Sequence, residues 1–110
     1  MLKEEWEKIE VGDLVFNYNY YKVINKTTSP RSYSSSTGEP ILRYELQGLL
    51  VMYGKSLRPV RNNSTVTTFE WGHKVTRDEL VGVLAIANRR LSTAQQSVEV
   101  IQDMLQELEK

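Results

Sequence analysis

The chain has 110 residues, 14 basic and 14 acidic side chains, a 40% hydrophobic set and no cysteine. That is one domain with enough apolar material to bury a core, and the missing thiols exclude disulfides, thiolate metal sites and cysteine nucleophiles. The opening MLKEEWEKIEVGDL holds no apolar run of signal-peptide length, and no later stretch reaches the roughly 18 apolar residues of a membrane span, so a reduced cytoplasmic setting (host cytoplasm for a viral protein) is expected.

The zero net charge hides an asymmetry. Residues 1–20 hold two lysines against five acids, residues 21–76 eight bases against three acids, and residues 77–110 four bases against six acids. The three segments therefore carry −3, +5 and −2. A basic middle between acidic ends suits a surface that recognises anions, although a solvated surface tolerates it too.

The expected class is α+β: about five short strands within residues 11–71, then a long C-terminal helix. Residues 1–75 form the β domain and residues 76–110 the helix, as one structural unit. Val11-Gly12-Asp13-Leu14-Val15-Phe16 reads as a turn entering a strand, and Tyr20 to Ile24 as an aromatic, β-branched second strand. Asn17-Tyr18-Asn19 between them suits a tight turn, because asparagine tolerates positive φ. Residues 27–40, rich in hydroxyls and punctuated by Pro30, Gly38 and Pro40, read as a flexible loop. Ile41 to Met52 alternates, with Leu42, Tyr44 and Leu46 on one face and Arg43, Glu45 and Gln47 on the other. Tyr53-Gly54-Lys55 is a turn, and Ser56 to Val60 a short strand that Pro59 confines to an edge or an end. Arg61-Asn62-Asn63 turns again into a strand at Thr65 to Phe69. The pattern Gly12-Asp13-x-Val15 followed by Tyr21-x-Val23 resembles the start of SH3-like small barrels. The resemblance implies a small antiparallel barrel; such barrels bind nucleic acid, peptides or nothing, so it assigns no function.

Thr76-Arg77-Asp78-Glu79 is a capping box that opens the helix. From there to Lys110 there is no proline and one glycine, Gly82. Leu80, Leu84, Ala87, Leu91, Ala94, Val98, Ile101, Leu105 and Leu108 recur at alternating spacings of 4 and 3, a sustained heptad seam. It predicts one amphipathic helix over about residues 77–109, roughly 50 Å long. A small β domain is too short to cover that length. Leu84, Ala87, Leu91, Ala94, Val98, Ile101, Leu105 and Leu108 are therefore the expected coiled-coil interface of a homo-oligomer. A two-fold near Ser92 and Thr93 sets Leu91 on Ala94, Ala87 on Val98, Leu84 on Ile101 and Leu80 on Leu105. Antiparallel pairing thus puts each alanine against a large side chain, whereas parallel pairing stacks alanine on alanine. The same pairing within one chain, with a break at Ser92-Thr93, gives a helical hairpin, but neither glycine nor proline marks a turn there.

Catalytic chemistry is not expected. His73 is the single histidine, the carboxylates Asp13, Glu39, Glu45 and Glu70 are scattered, and there is no phosphate-binding glycine loop or nucleophile elbow. No cofactor or metal is implied. What the β region does offer is basic and aromatic residues interleaved: Tyr20, Tyr21, Lys22, Arg31, Arg43, Lys55, Arg58, Arg61 and Trp71 are the candidate ligand-binding residues. Guanidinium forks match phosphates and exposed rings stack on bases. The strand tyrosines also fit a core, and Phe69 and Trp71 also fit packing beneath the long helix. Two classes follow. One is an oligomeric, non-catalytic binder of an anionic ligand, nucleotide or nucleic acid. The other is a phage or mobile-element type of accessory protein that inhibits or sequesters a host factor through protein–protein contact.

Overall fold

Leu14 and Val15 stand side by side on the first strand and bury toward opposite faces, and this alternation gives the fold two apolar layers. The computed structural model describes residues 1–60, 65–90 and 94–109 and, of residues 94–96, the backbone only. Its elements are α1 (Lys3–Lys8), β1 (Leu14–Asn17), β2 (Asn19–Tyr33), β3 (Pro40–Met52), β4 (Val66–Phe69), β5 (His73–Lys74), α2 (Arg77–Arg89) and α3 (Ala94–Leu108). All strand pairs are antiparallel, in the order β4-β3-β2-β1-β5. The edge strands β4 and β5 are joined by Glu70, Trp71 and Gly72 alone, so the sheet curls until its edges lie within about 14 Å, the reach of four residues.

Inside the curl lie Val15, Tyr21, Val23, Leu46 and Phe69, closed by Ile9 and by Trp6 of α1. Gly48 makes this layer possible, since a Cβ there would stand 2.9 Å from Tyr21 Cβ. On the opposite face Leu14, Tyr20, Met52 and Val75 meet Leu80, Ala87 and Ile101 of the helices. Burial, and then the Glu79 carboxylate, raise the Tyr20 phenol above its ordinary pKa of 10.0.

The C-terminal third is not one long helix. Helix α2 ends at Arg89, Arg90 is extended at φ −94° and ψ 105°, and α3 begins at Ala94. The Arg77 guanidinium lies 3.2 Å from the Glu109 carboxylate, so the start of one helix sits at the end of the other: an antiparallel hairpin. Leu80, Ala87 and Ile101 are fully buried within the chain, with Leu84, Val98, Leu105 and Leu108 packed around them. The described part of the expected oligomer stripe thus packs against its own chain and the sheet, with Leu84, Val98, Leu105 and Leu108 half-buried. Leu91, Ser92, Thr93 and the side chain of Ala94 lie outside the described residues, and so does Arg61. The helix start is as expected, with Thr76 Oγ1 accepting from the Glu79 N–H at 3.2 Å.

The strands also differ from expectation in three places. The hydroxyl-rich segment is no loop over most of its length: β2 continues to Tyr33 and pairs with β3 as far as Pro40, leaving a turn at 34–39. Ser56 to Val60 contributes one bridge, Met52 to Pro59, and the fifth strand is His73–Lys74 instead. The positive φ of the Asn17-Tyr18-Asn19 turn falls on Tyr18, at 57°, and on neither asparagine. The long β2–β3 ribbon makes the molecule 58 Å in its longest dimension, with a radius of gyration of 16.3 Å. A compact chain of this size has about 13 Å. No helix among the described residues is long and apolar enough to cross a membrane.

Candidate anion-binding surface at the β1–β2 turn

The chain reverses between β1 and β2 at Tyr18, a tyrosine in the left-handed region that is 74% exposed. That conformation costs a non-glycine residue roughly 1–2 kcal/mol, so the local sequence does not choose it freely. The flanking asparagines hold it. Asn17 Nδ2 donates to the Trp71 carbonyl at 2.9 Å, and Asn19 Oδ1 accepts from the Gly54 N–H at 3.0 Å. The Tyr18 and Trp71 rings meet edge to face, centroids 5.0 Å apart and planes at 84°, with Trp71 itself 48% exposed. An exposed aromatic pair fixed through its backbones is a rigid platform.

Gly54 brings the basic turn against this platform, for its backbone lies directly on the carbonyl of Tyr18. The turn at residues 53–58 is held from the helical side as well. Arg90 Nη1 donates to the Lys55 carbonyl at 2.9 Å, and the buried Ser97 hydroxyl donates to the Leu57 carbonyl at 2.6 Å. Leu57, like Tyr18, has a φ of 57°, with its side chain in the helix-side core. From this anchored turn Lys55 and Arg58 project beside Tyr53, together with Asn19 and Ser56 around an open groove. The Arg58 guanidinium stands 5.4 Å from the Tyr53 ring centroid, a cation–π contact. Among the described residues no carboxylate pairs with Lys55, Arg58 or Arg90, whereas Arg43 lies 3.3 Å from Glu70 and Lys74 3.4 Å from Asp13.

The structure brings together only part of the sequence-derived set. Lys55, Arg58 and Trp71 converge on the β1–β2 end. Tyr20 and Tyr21 do not belong to any surface: they are buried, one in each layer, with Tyr21 against Phe69 at 5.0 Å. Phe69 accordingly packs inside the curl and not beneath the helices, while Trp71 packs on Tyr18. Lys22 faces a separate cleft beside Asp13, Met104 and Glu107. Arg43 stands nine residues before the end of β3, about 30 Å from the basic turn at 3.3 Å per residue. Arg31 is farther still, on the ribbon. No family model, curated protein or solved structure matches this sequence. Function therefore rests on the site itself. Among the described residues no three histidines, aspartates or glutamates gather as metal ligands. His73 Nε2 is 2.8 Å from Glu79 Oε2 at the head of α2, with its ring 5.5 Å from Phe16.

Sequence reasoning missed Tyr18, Tyr53 and Arg90. A signal for the first existed, since a bulky ring at the apex of a tight turn between two asparagines is a poor choice for the turn itself. Arg90 carries no such signal, because its place beside Lys55 depends on the helix ending at Arg89.

Proposed function

We propose that this chain is a non-catalytic, cytoplasmic binding protein that takes an anionic ligand, a nucleotide or nucleic acid, on the surface built by Lys55, Arg58, Arg90 and Tyr53. One observation carries the reading. A turn pinned by Asn19, Arg90 and Ser97 presents cations that no carboxylate among the described residues neutralises. Pinning the backbone means that the turn itself need not be ordered when its ammonium and guanidinium groups meet a phosphate.

Anisotropy titration of a labelled oligonucleotide at several salt concentrations tests it. Lys55→Ala and Arg58→Ala are each expected to weaken binding and to lower the salt slope by about 0.7–0.9. Arg43→Ala should leave both unchanged, since that guanidinium is already on Glu70 and distant. Binding that ignores salt, or no binding to any polyanion, sinks the reading.

The β2–β3 ribbon favours a second reading, an accessory protein that docks on another protein. Beyond Val23 and before Leu46 these strands pair only with each other among the described residues, and Tyr33, Ile41 and Leu42 are exposed along them. Free strand edges with apolar side chains recruit strands from partners. Replacing residues 28–43 by a short turn separates the two. Oligonucleotide binding survives under the first reading, and any activity on a host factor disappears under the second.

A further inference from the structure

We infer that Tyr18 and Trp71 form a base-stacking platform, so that the ligand of this surface is single-stranded nucleic acid and not a duplex or a bare polyphosphate. This rests on the anionic-ligand reading above and adds to it the part of the ligand that carries no charge.

The case begins with a cost. Glycine or asparagine would occupy the Tyr18 backbone conformation with little strain, whereas tyrosine stays there at about 1–2 kcal/mol. Packing does not repay this, for the residue is 74% exposed and the edge-to-face contact with Trp71 covers only part of its ring. Strain kept at an exposed residue marks a position selected for what its side chain meets. Trp71 is likewise exposed although the core had room for an aromatic two residues earlier, at Phe69.

Geometry supplies the second argument. The Tyr18 carbonyl abuts Gly54 and Asn19 accepts from the Gly54 N–H, so the hairpin apex that carries the Tyr18 ring is joined through its backbone to the turn that carries Lys55 and Arg58, and Asn19, next to Tyr18, lines their groove. Single-strand sites combine these two parts: cations that follow the backbone and rings on which successive bases lie. In a duplex the bases are stacked on one another and present only their edges, so the rings would find no face to cover. A bare polyphosphate would use the cations and leave the rings idle.

The test uses the full chain with three probes: fluorescein-labelled oligo(dT) of about 12 nucleotides, the same strand annealed to its complement, and inorganic tripolyphosphate as competitor. The single strand is expected to bind at least about tenfold more tightly than the duplex, and Tyr18→Gly to weaken it about tenfold, the effect of one lost stacking contact. Glycine relieves the left-handed backbone, so this variant should melt no lower than the parent, and a binding loss cannot then be ascribed to unfolding. Its salt slope stays at the parent value because no phosphate contact is removed. In a Trp6→Phe background, unlabelled oligo(dT) should quench the remaining Trp71 fluorescence. Equal affinity for duplex and single strand, or Tyr18→Gly binding within about twofold of the parent, overturns the stacking platform. If those results come with salt-dependent binding that Arg58→Ala weakens, the anionic-ligand reading stands and only this inference fails. If none of the probes binds, both fail together.

Discussion

Ile101→Ala is expected to remove about 2–5 kcal/mol of folding stability, the range for deleting a large aliphatic side chain from a packed core, and to do so equally at every protein concentration. Ile101 has no exposed surface and lies where the two helices meet the sheet, in one cluster with Leu80, Ala87, Met52 and Val75. For a domain of this size each kcal/mol corresponds to roughly 4–8 °C in Tm, so the melting point should fall by more than about 8 °C. The concentration series decides where the contact is made. A seam shared between chains would be stabilised by mass action, and the urea midpoint would rise with protein concentration. A seam folded back on itself gives one midpoint throughout. Ile86→Ala is the internal comparison: 45% exposed on the same helical hairpin, it should change stability by no more than about 0.5 kcal/mol. A midpoint that climbs with concentration, or an Ile101→Ala loss as small as that of Ile86→Ala, would falsify the intramolecular hairpin.

The same stripe shows how far the sequence could be read. Its heptad spacing predicts which residues bury, and the volume argument predicts antiparallel pairing: Ala87 and Ile101 are buried, and Arg77 reaches Glu109 across the pair. What periodicity cannot fix is whether the facing helix belongs to the same chain, because the alternation of 4 and 3 continues unbroken through the break after Arg89. The sheet was legible where alternation is strong. Leu46 is buried and Tyr44 half-buried on the face the pattern assigns them, and Leu42 of the same face is exposed only because the ribbon there has no layer against it. Residues 28–33 failed for a different reason. Hydroxyl-rich composition and Pro30 argue for a loop, yet a long partner strand, β3, supplies the hydrogen bonds that make them strand. At the site, Lys55, Arg58 and Trp71 were recognisable by type, but not their company. Tyr18 joins them through a left-handed backbone and Arg90 through a helix end, and neither appears as a residue pattern. Tyr20 and Tyr21 show the converse, since adjacent strand residues point to opposite faces and here both faces are covered.

Gly54→Ala should be among the most damaging single-methyl changes in the protein and should weaken ligand binding as the turn is displaced. An added Cβ would overlap the Tyr18 carbonyl oxygen and stand 3.0 Å from both the Tyr18 carbonyl carbon and Phe16 Cε2. Two of those atoms are backbone at the apex of a hairpin already held at positive φ, so the neighbour cannot swing aside as a side-chain tip would. Relief requires the 53–58 turn to lift away, which breaks the 3.0 Å bond from the Gly54 N–H to Asn19. Overpacking of this kind costs about 1–3 kcal/mol, and the lost hydrogen bond about 0.5–1.5 more. Together they amount to roughly 2–4 kcal/mol. Gly38→Ala separates steric overlap from backbone strain. It also has positive φ, at 73°, but nothing lies within 4 Å of its Cβ position, at the far tip of the ribbon. That variant should lose about 1 kcal/mol and keep its affinity for oligo(dT), because no part of the tip touches the Tyr18 platform. In Gly54→Ala, measured well below its melting point, affinity should drop by more than about tenfold, the effect of losing a stacking contact or a phosphate contact. Lifting the turn withdraws Lys55 and Arg58 from Tyr18 and Trp71, so charge and rings no longer meet one strand at once. Should Gly54→Ala melt and bind like the parent, the close seating of the basic turn on the hairpin apex is wrong, and the cations and the aromatic pair are separate features of the surface.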